Sequence, residues 1–315
     1  MLRFAARRLA MLVLTLLVAS FAIYASLSIA PGDPLAVLTG GRTLPPEAMA
    51  VLRARYHLDE SLPLQYWHWL TSVVQGDLGD SIALRESVNT LIAERAAVTF
   101  ELVIYASILI LLLGIGSGVL AGLRRGAVDT TVIAGTTVAA AIPSFVAAIV
   151  LIAVFAINLG WFPALGAGDG VLDRLWHLTL PAIALALSAL AIVARVTRVS
   201  VREEMAREHV QTAISRGLPW RLVVRRHVLR NAAIPITTIT GITIASLIAL
   251  SAVVERAFSL NGLGAALVSA AASKDFAVVQ GIALILVAAF VITNTLVDLL
   301  YAALDPRVAL GRRAE

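Results

Sequence analysis

The sequence has no cysteine and a single lysine, Lys274, and only 14% of its 315 residues are charged. The missing cysteines exclude a disulfide framework, a thiolate metal site and cysteine nucleophile chemistry together. Lys274 follows Ser273 rather than a glycine, so the chain cannot form the G-x-x-x-x-G-K-[ST] loop that cradles nucleotide phosphates. A soluble domain carries about 25% charged residues, and this chain has too few to cover a water-facing surface. That scarcity argues against a water-soluble enzyme, a disordered chain and a nucleic-acid-binding domain, despite a net charge of +5. What the chain has instead is apolar length, with 59% of its residues hydrophobic.

A helix needs about 20 consecutive apolar residues to cross some 30 Å of hydrocarbon. Six stretches qualify, at about Leu9–Ala30, Leu102–Leu123, Thr130–Ile157, Leu178–Val196, Ala233–Val254 and Ala277–Leu300. Arg3, Arg7 and Arg8 precede the first, as in a signal peptide, but a signal h-region spans only about 7–15 residues. Pro31 directly after Ser28-Ile29-Ala30 is also a poor cleavage context, so the stretch reads as a retained span. A cytoplasmic N-terminus puts Arg3, Arg7, Arg8, Arg124, Arg125, the basic stretch Arg198–Arg230, and Arg307, Arg312 and Arg313 on one side. The opposite side is longer and holds about half as many basic residues. The positive-inside rule then predicts an all-α integral membrane protein of six spans with both termini in the cytoplasm.

The connections are unequal. Pro31 to about Ala97 is too long for a hairpin and should fold on the outer membrane surface, with Pro45-Pro46 opening a short helix through Tyr56 because proline suits the first helical turn. Tyr66, Trp67 and Trp69 cluster as interfacial aromatics do, which favours lipid-headgroup anchoring over partner contact. Arg256–Phe276 is apolar enough to dip back into the membrane from outside, and such backbone persists only where it is buried in protein or lines a water-filled path.

The centres of the six spans hold no Asp, Glu, Lys, Arg or His; Glu101, Glu255, Asp298 and Arg195 sit near span ends. Ion-driven carriers usually place ionisable or unwound polar sites near the midplane, so transport by this chain would be powered from outside the bilayer. Ser117 within Gly114-Ile115-Gly116-Ser117-Gly118 superficially resembles the nucleophile of an intramembrane protease. A serine needs a base within hydrogen-bond reach, and His57, His68, His177, His209 and His227 all fall outside the spans or at their edges. Gly114, Gly118 and Gly122 recur every fourth residue instead, the small-residue spacing of close helix packing. No catalytic residue is assigned.

Between the fourth and fifth spans, Arg198–Asn231 carries eight arginines against three glutamates. It reads as an extension of the fourth span followed by a short helix, with Val210, Ala213 and Ile214 on one apolar face. Gly217 supplies a left-handed stop and Pro219 opens a next helix through Asn231. Attraction to anionic lipid explains the charge, whereas a compact elbow without a floppy linker points to a docked partner. In the fifth span, Thr237, Thr240, Thr243 and Ser246 place hydroxyls roughly along one side. Such hydroxyls mostly bond their own backbone or a neighbouring helix, and substrate contact along a path is the alternative. No cluster with metal-ligand spacing appears in the spans, so no metal site is expected.

The ordered set of short motifs carries a resemblance. It includes Pro31-Gly32-Asp33-Pro34, Leu58-Asp59, Pro63-Leu64-Gln65-Tyr66 and Gly76-Asp77-Leu78-Gly79-Asp80-Ser81. It continues through Asp129, Ile142-Pro143-Ser144-Phe145, Gly160-Trp161-Phe162-Pro163, Leu180-Pro181, Arg195 and Thr197-Arg198. After Thr212-Ala213, Gly217, His227, Arg230-Asn231 and Pro235 come Glu255, Phe258, Gly262-Leu263-Gly264, Gln280-Gly281, Asn294, Asp298, Tyr301 and Asp305-Pro306-Arg307. In this order the chain resembles permease subunits of binding-protein-dependent ABC importers of the dipeptide, oligopeptide and nickel group, over nearly its whole length.

The resemblance implies a type I ABC importer permease fold and a multi-pass location in the bacterial cytoplasmic (inner) membrane. It implies a paralogous second permease, two separate ATP-binding subunits that hold ATP and Mg, and an extracytoplasmic substrate-binding protein. Membrane lipid is a further partner, nucleic acid is not, and the chain itself holds no cofactor. The family's ATPase-coupling segment maps onto Gln211, Thr212, Ala213, Arg216 and Gly217, and the outer re-entrant segment onto Glu255, Phe258, Gly262 and Gly264. The implied division is an N-terminal span over 1–30, an outer segment over 31–97, a permease core over 98–304 and a cytoplasmic tail over 305–315. Within the core, 198–231 is the coupling segment and 256–276 the re-entrant one. The implied cargo is a di- or oligopeptide, with nickel or another small solute as the alternative; an ion-driven carrier and an intramembrane protease are the readings from other classes.

Overall fold

The computed structural model describes residues 2–29, 45–55 and 59–304. The Pro31-Gly32-Asp33-Pro34 motif, Leu58 and the tail from Asp305 lie outside the described residues, as do the side chains of Asp298 and Tyr301. The helices are α1 (Leu2–Ile29), α2 (Pro46–Arg55), α3 (Leu62–Val74), α4 (Val88–Leu123) and α5 (Ala127–Ala141). They continue with α6 (Ser144–Asn158), α7 (Val171–Met205), α8 (Glu208–Ser215), α9 (Trp220–Ala257), α10 (Leu263–Ala272) and α11 (Phe276–Leu304). Among the described residues, five helices are long and apolar enough to cross a bilayer, and α5 with α6 makes a sixth if the bent pair counts as one span. Wide π-helical turns interrupt α4 at Ile110–Ile115, α6 at Ile152–Asn158 and α9 at Val223–Val228.

The structure departs from the expected spans in two ways. The stretch expected to cross as one helix from Thr130 to Ile157 is broken, with α5 and α6 meeting at 99°. Pro143 has no N–H to donate and forces its predecessor out of the helical region, and Ile142 is extended at φ −92°, ψ 114°. The other long helices overrun their apolar windows. α4 begins at Val88 because the Ser87 hydroxyl accepts the Asn89 N–H and because Val88, Leu91 and Ile92 bury their side chains.

α7 is the central element. Of its apolar window 61% is buried, against 6% for α1 at the periphery. Its buried face is largely alanine, including Ala182, Ala184, Ala186, Ala189, Ala191 and Ala194, and small side chains let neighbouring helices approach closely. α4, α5, α6 and α9 all pack against it. The expected glycine packing is present: a Cβ on Gly118 would lie 2.5 Å from the Ala194 carbonyl oxygen, and one on Gly122 would lie 2.7 Å from Val201. The Ser117 hydroxyl donates to the Gly114 carbonyl at 3.2 Å, which satisfies it locally.

The outer aromatics have a different role from the one expected. Tyr66 packs edge-on to Phe21 at 5.2 Å between ring centroids, and Trp69 lies against Tyr24 at 5.6 Å. The hydroxyls of Ser20 and Tyr66 are 2.8 Å apart. These rings hold α3 on α1, and of the three only Trp67, 59% exposed, is free to meet a headgroup or partner.

The close approach of α4 and α7 yields a test. Gly118→Leu should overpack that contact and cost about 2 kcal/mol or more, read as a lower Tm of the protein in detergent. Ser117→Ala should leave Tm within a degree or so, and an unchanged Tm for Gly118→Leu would contradict the packing.

Candidate functional site

Two regions stand out at opposite ends of α9. On the inner side, α7 ends at Met205 and α8 turns across its foot. Val210 and Ala213 bury themselves with Val201, Val223, Val228 and Ile236 in a small core distinct from the main one. Ile214, expected on that same face, points out and is 40% exposed. Glu204 pins the corner. Its Oε1 lies 3.0 Å from His209 Nε2 and accepts from Asn231 Nδ2 at 2.8 Å, and Asn231 also donates to the His227 carbonyl at 3.1 Å. Gln211 folds back, donating from Nε2 to the Met205 carbonyl at 2.8 Å.

Gly217 closes α8 at φ +73°, a conformation costly to residues with a Cβ. Its N–H donates to the Ile214 carbonyl at 2.9 Å and the Leu218 N–H to the Ala213 carbonyl at 3.3 Å, the paired bonds of a Schellman stop. The helix expected over Pro219–Asn231 does not end at Asn231. It runs into the fifth span as α9, because no helix breaker separates Leu229 from Ala233 and Pro235 is accommodated within the helix. The elbow is therefore joined to α7 on one side and continuous with α9 on the other.

Thr212, Gln211, Arg216 and Gly217 are exposed, while Ala213 is buried. Beside them lies a feature that the apolar pattern concealed. Ile214, Leu218 and Trp220 (52% exposed) are exposed apolar residues within one short stretch, interspersed in sequence with exposed Arg216, Arg221 and Arg225. The signal was Trp220 itself, an aromatic three residues after the Gly217 stop.

At the other end of α9, the segment expected to be re-entrant is held by a buried acid. Glu255 is fully buried; Thr99 donates its hydroxyl to Oε1 at 2.8 Å and the Ala265 N–H donates to Oε2 at 2.9 Å. The Thr99 oxygen in turn accepts the Leu263 N–H at 2.8 Å. Two first-turn N–H groups of α10, Leu263 and Ala265, which have no partners within a helix, are thus met by α4 and α9. Gly262 is required there: a Cβ would lie 2.5 Å from Glu255 Oε2, and one on Gly264 would lie 2.4 Å from the Ala252 Cα. Phe258 is buried, and its carbonyl accepts the Gly166 N–H at 3.0 Å. The structure brings Glu255, Phe258, Gly262 and Gly264 into one clamp.

Along α9, Thr240 and Thr243 are buried within the chain, and Thr237 and Ser246 are half-buried. Ser246 donates to the Thr243 carbonyl at 2.7 Å, and the buried Thr240 hydroxyl has no hydrogen-bond partner among the described residues. The open face of α9 runs instead through Pro235, Thr238, Ile242, Ala249, Val253 and Arg256.

Two polar pairings were missed in the sequence. Asp129 in α5 accepts from Arg198 and from Arg202, the latter at 3.0 Å, which ties α5 to α7. Asp275, buried just before α11, accepts from the Ser81 hydroxyl at 2.6 Å and the Ala83 N–H at 3.0 Å. Its position directly before the helix was an available capping signal; its distant loop partner had none.

Comparison with known proteins covers nearly the whole chain. Residues 110–310 match the family described as binding-protein-dependent transport system inner membrane component, and residues 1–103 its N-terminal companion. The chain is 36% identical over 310 residues to the oligopeptide transport system permease protein OppB of Escherichia coli, covering 98% of this chain and 99% of that one. It is 34% identical over 311 residues to the glutathione transport system permease protein GsiC of Pectobacterium atrosepticum, with the same coverage.

The outer clamp gives a second test. Glu255→Ala strands the Thr99 hydroxyl and the Ala265 N–H, and should cost about 2–3 kcal/mol. Gly262→Ala should destabilise similarly by displacing the carboxyl group. Melting in detergent should show both as a fall in Tm of about 5 °C; no shift in either variant would contradict the clamp.

Proposed function

Because the chain belongs to the family of binding-protein-dependent transport system inner membrane components, we propose that it forms half of a peptide path and is moved by an ATPase docked on its elbow. The chain is the permease subunit of an ATP-driven importer in the inner membrane, a transport subunit and not itself an enzyme. An external binding protein and an ATPase are its partners. The sequence lacks a phosphate-binding loop, which assigns nucleotide chemistry, with its Mg, to the ATPase. A di- or oligopeptide is the proposed cargo, since the relatives are named for oligopeptides and glutathione.

The observation that carries the coupling proposal is the exposure of Ile214, Leu218 and Trp220 on the elbow, among the exposed arginines of the same stretch. Exposed aromatic and aliphatic anchors within a polar rim are the usual energetic centre of a protein interface. Gln211, Thr212, Ala213, Arg216 and Gly217 form the rest of this coupling segment, within 198–231. ATP binding would draw two ATPases together, the elbow would carry the motion into α7 and α9, and the path would open outward towards the loaded binding protein. Hydrolysis would reset it. Coupling of this kind needs different contacts in the two states, and a rigid corner between two spans supplies a lever for them.

The second half of the path is a paralogous permease. The open face of α9, from Pro235 through Thr238, Ile242, Ala249 and Val253, is left exposed within this chain, and there the second permease would face it. Ser246 and the hydroxyl of Thr238 would border the path, with Thr237, Thr240 and Thr243 shaping it from behind. Residues 1–30 and 31–97 form a peripheral span and outer segment, 98–304 the moving core with its re-entrant part at 256–276, and 305–315 the tail.

Affinity purification from the native membrane should recover an ATPase pair and a second permease. Trp220→Ala combined with Ile214→Asp should weaken ATPase retention at least about tenfold while leaving the chain in the membrane. A chain that purifies alone and concentrates solute in vesicles on an ion gradient would overturn the reading.

A further inference from the structure

At the outer end of α9, an open cleft of about 610 Å³ is lined by Arg95, Arg256, Ser259, Leu260, Asn261 and Ser269. Its polar groups are mostly hydrogen-bond donors or hydroxyls, and its wall contains no acid. Glu255 adjoins Arg256 in sequence but is buried in the clamp, facing Thr99 and Ala265. Where arginines of this chain meet an acid they pair with it, Arg174 with Glu101, Arg198 and Arg202 with Asp129, and Arg207 with Glu204. At the cleft, no carboxylate of the described residues lies within ion-pair distance of either guanidinium, and Arg256 makes only a 3.3 Å bond to the Ser269 hydroxyl. The cleft also opens at the head of the exposed α9 face that descends through Val253, Ala249 and Ile242.

We propose that this cleft is a carboxylate subsite of the permease, which receives the C-terminal carboxylate of a short peptide as it leaves the binding protein. The inference rests on the peptide reading above. A planar guanidinium matches a carboxylate in two parallel hydrogen bonds, and Asn261 with the serine hydroxyls can serve the adjoining peptide group. The volume falls in the range of about 300–1,000 Å³ typical of small-molecule sites. Arg256 is exposed and the cleft open, so solvent and salt screen its attraction. Weak binding suits a path, where a site must capture cargo and still let it go. The permease would thus orient its cargo carboxylate-first against the outer end of α9 and apply a charge filter of its own.

The test uses the complete transporter, with binding protein and ATPases, in proteoliposomes. A pool of mixed-sequence tripeptides is offered as free acids or as C-terminal amides, each at a concentration that saturates the binding protein. Free acids should enter roughly tenfold faster than amides. Arg95→Gln with Arg256→Gln should abolish that preference by slowing the acids, Arg256→Lys should retain part of it, and Arg85→Gln, an arginine outside the cleft, should change nothing. ATP hydrolysis stimulated by the loaded binding protein should fall far less than uptake in the double variant. Equal uptake of acid and amide by the unmodified transporter would overturn the subsite. So would a double variant whose ATPase stimulation falls in step with uptake of both pools, since the arginines would then grip an acidic side chain of the binding protein. Failure of the unmodified transporter to import either pool would overturn the peptide reading itself, and the subsite with it.

Discussion

The spacing between α4 and α7 governs the rest of the structure. Gly118 and Gly122 let the α7 backbone sit where side chains would otherwise stand, with the Ala194 and Arg198 carbonyls against them. In a membrane there is little hydrophobic drive between helices, so contact of this kind and interhelical hydrogen bonds provide the cohesion. With α4 in place, α7 becomes a buried strut long enough to reach out of the bilayer on the inner side. Its last turns then carry Arg198, Arg202 and Glu204, which hold α5 and the elbow.

The two ends of the lever are fixed by the same device, an acidic side chain that accepts donors from more than one element. Glu255 joins α4, α9 and the first turn of α10 outside; Glu204 joins α7, α8 and α9 inside. Such groups are costly to remove from water, and they specify one arrangement when their acceptor sites are filled. They differ in burial, for Glu255 is fully enclosed whereas the His209 beside Glu204 remains exposed. The outer clamp thus reads as a permanent fixture and the inner pin as one that a docked partner can cover.

Hydropathy made the spans legible, because crossing hydrocarbon imposes a run that few other constraints produce. It left their ends unreadable: Val88–Val98 is helical through the Ser87 cap and side packing, and Asp173–His177 extends α7 with Arg174 paired to Glu101, neither through apolar length. Pro143 stood in plain view, but a sum over Thr130–Ile157 is blind to a bend. The glycine spacing at Gly114, Gly118 and Gly122 was readable because it is local. Asp129 with Arg198, and Ser81 with Asp275, were not, since each pair joins residues far apart in the chain. Helical spacing put Ile214 with Val210 and Ala213, yet an eight-residue helix has room for an edge position, and there Ile214 turns outward. Tyr66 and Trp69 carried the composition of a headgroup anchor, and only the nearness of Phe21 and Tyr24 shows that they serve the protein instead.

The account stands on Gly217 as a backbone stop that keeps the elbow rigid. A Cβ there would meet nothing within 4 Å, so any cost of substitution within this chain lies in the left-handed conformation and not in space. Asparagine tolerates that conformation, while a β-branched residue pays about 1–2 kcal/mol or more. The direct measurement is uptake per ATP hydrolysed by the complete transporter carrying Gly217→Asn or Gly217→Val. The account predicts a near-normal ratio for asparagine and a ratio several-fold lower for valine, with hydrolysis continuing. A valine variant as well coupled as the unmodified protein would contradict it.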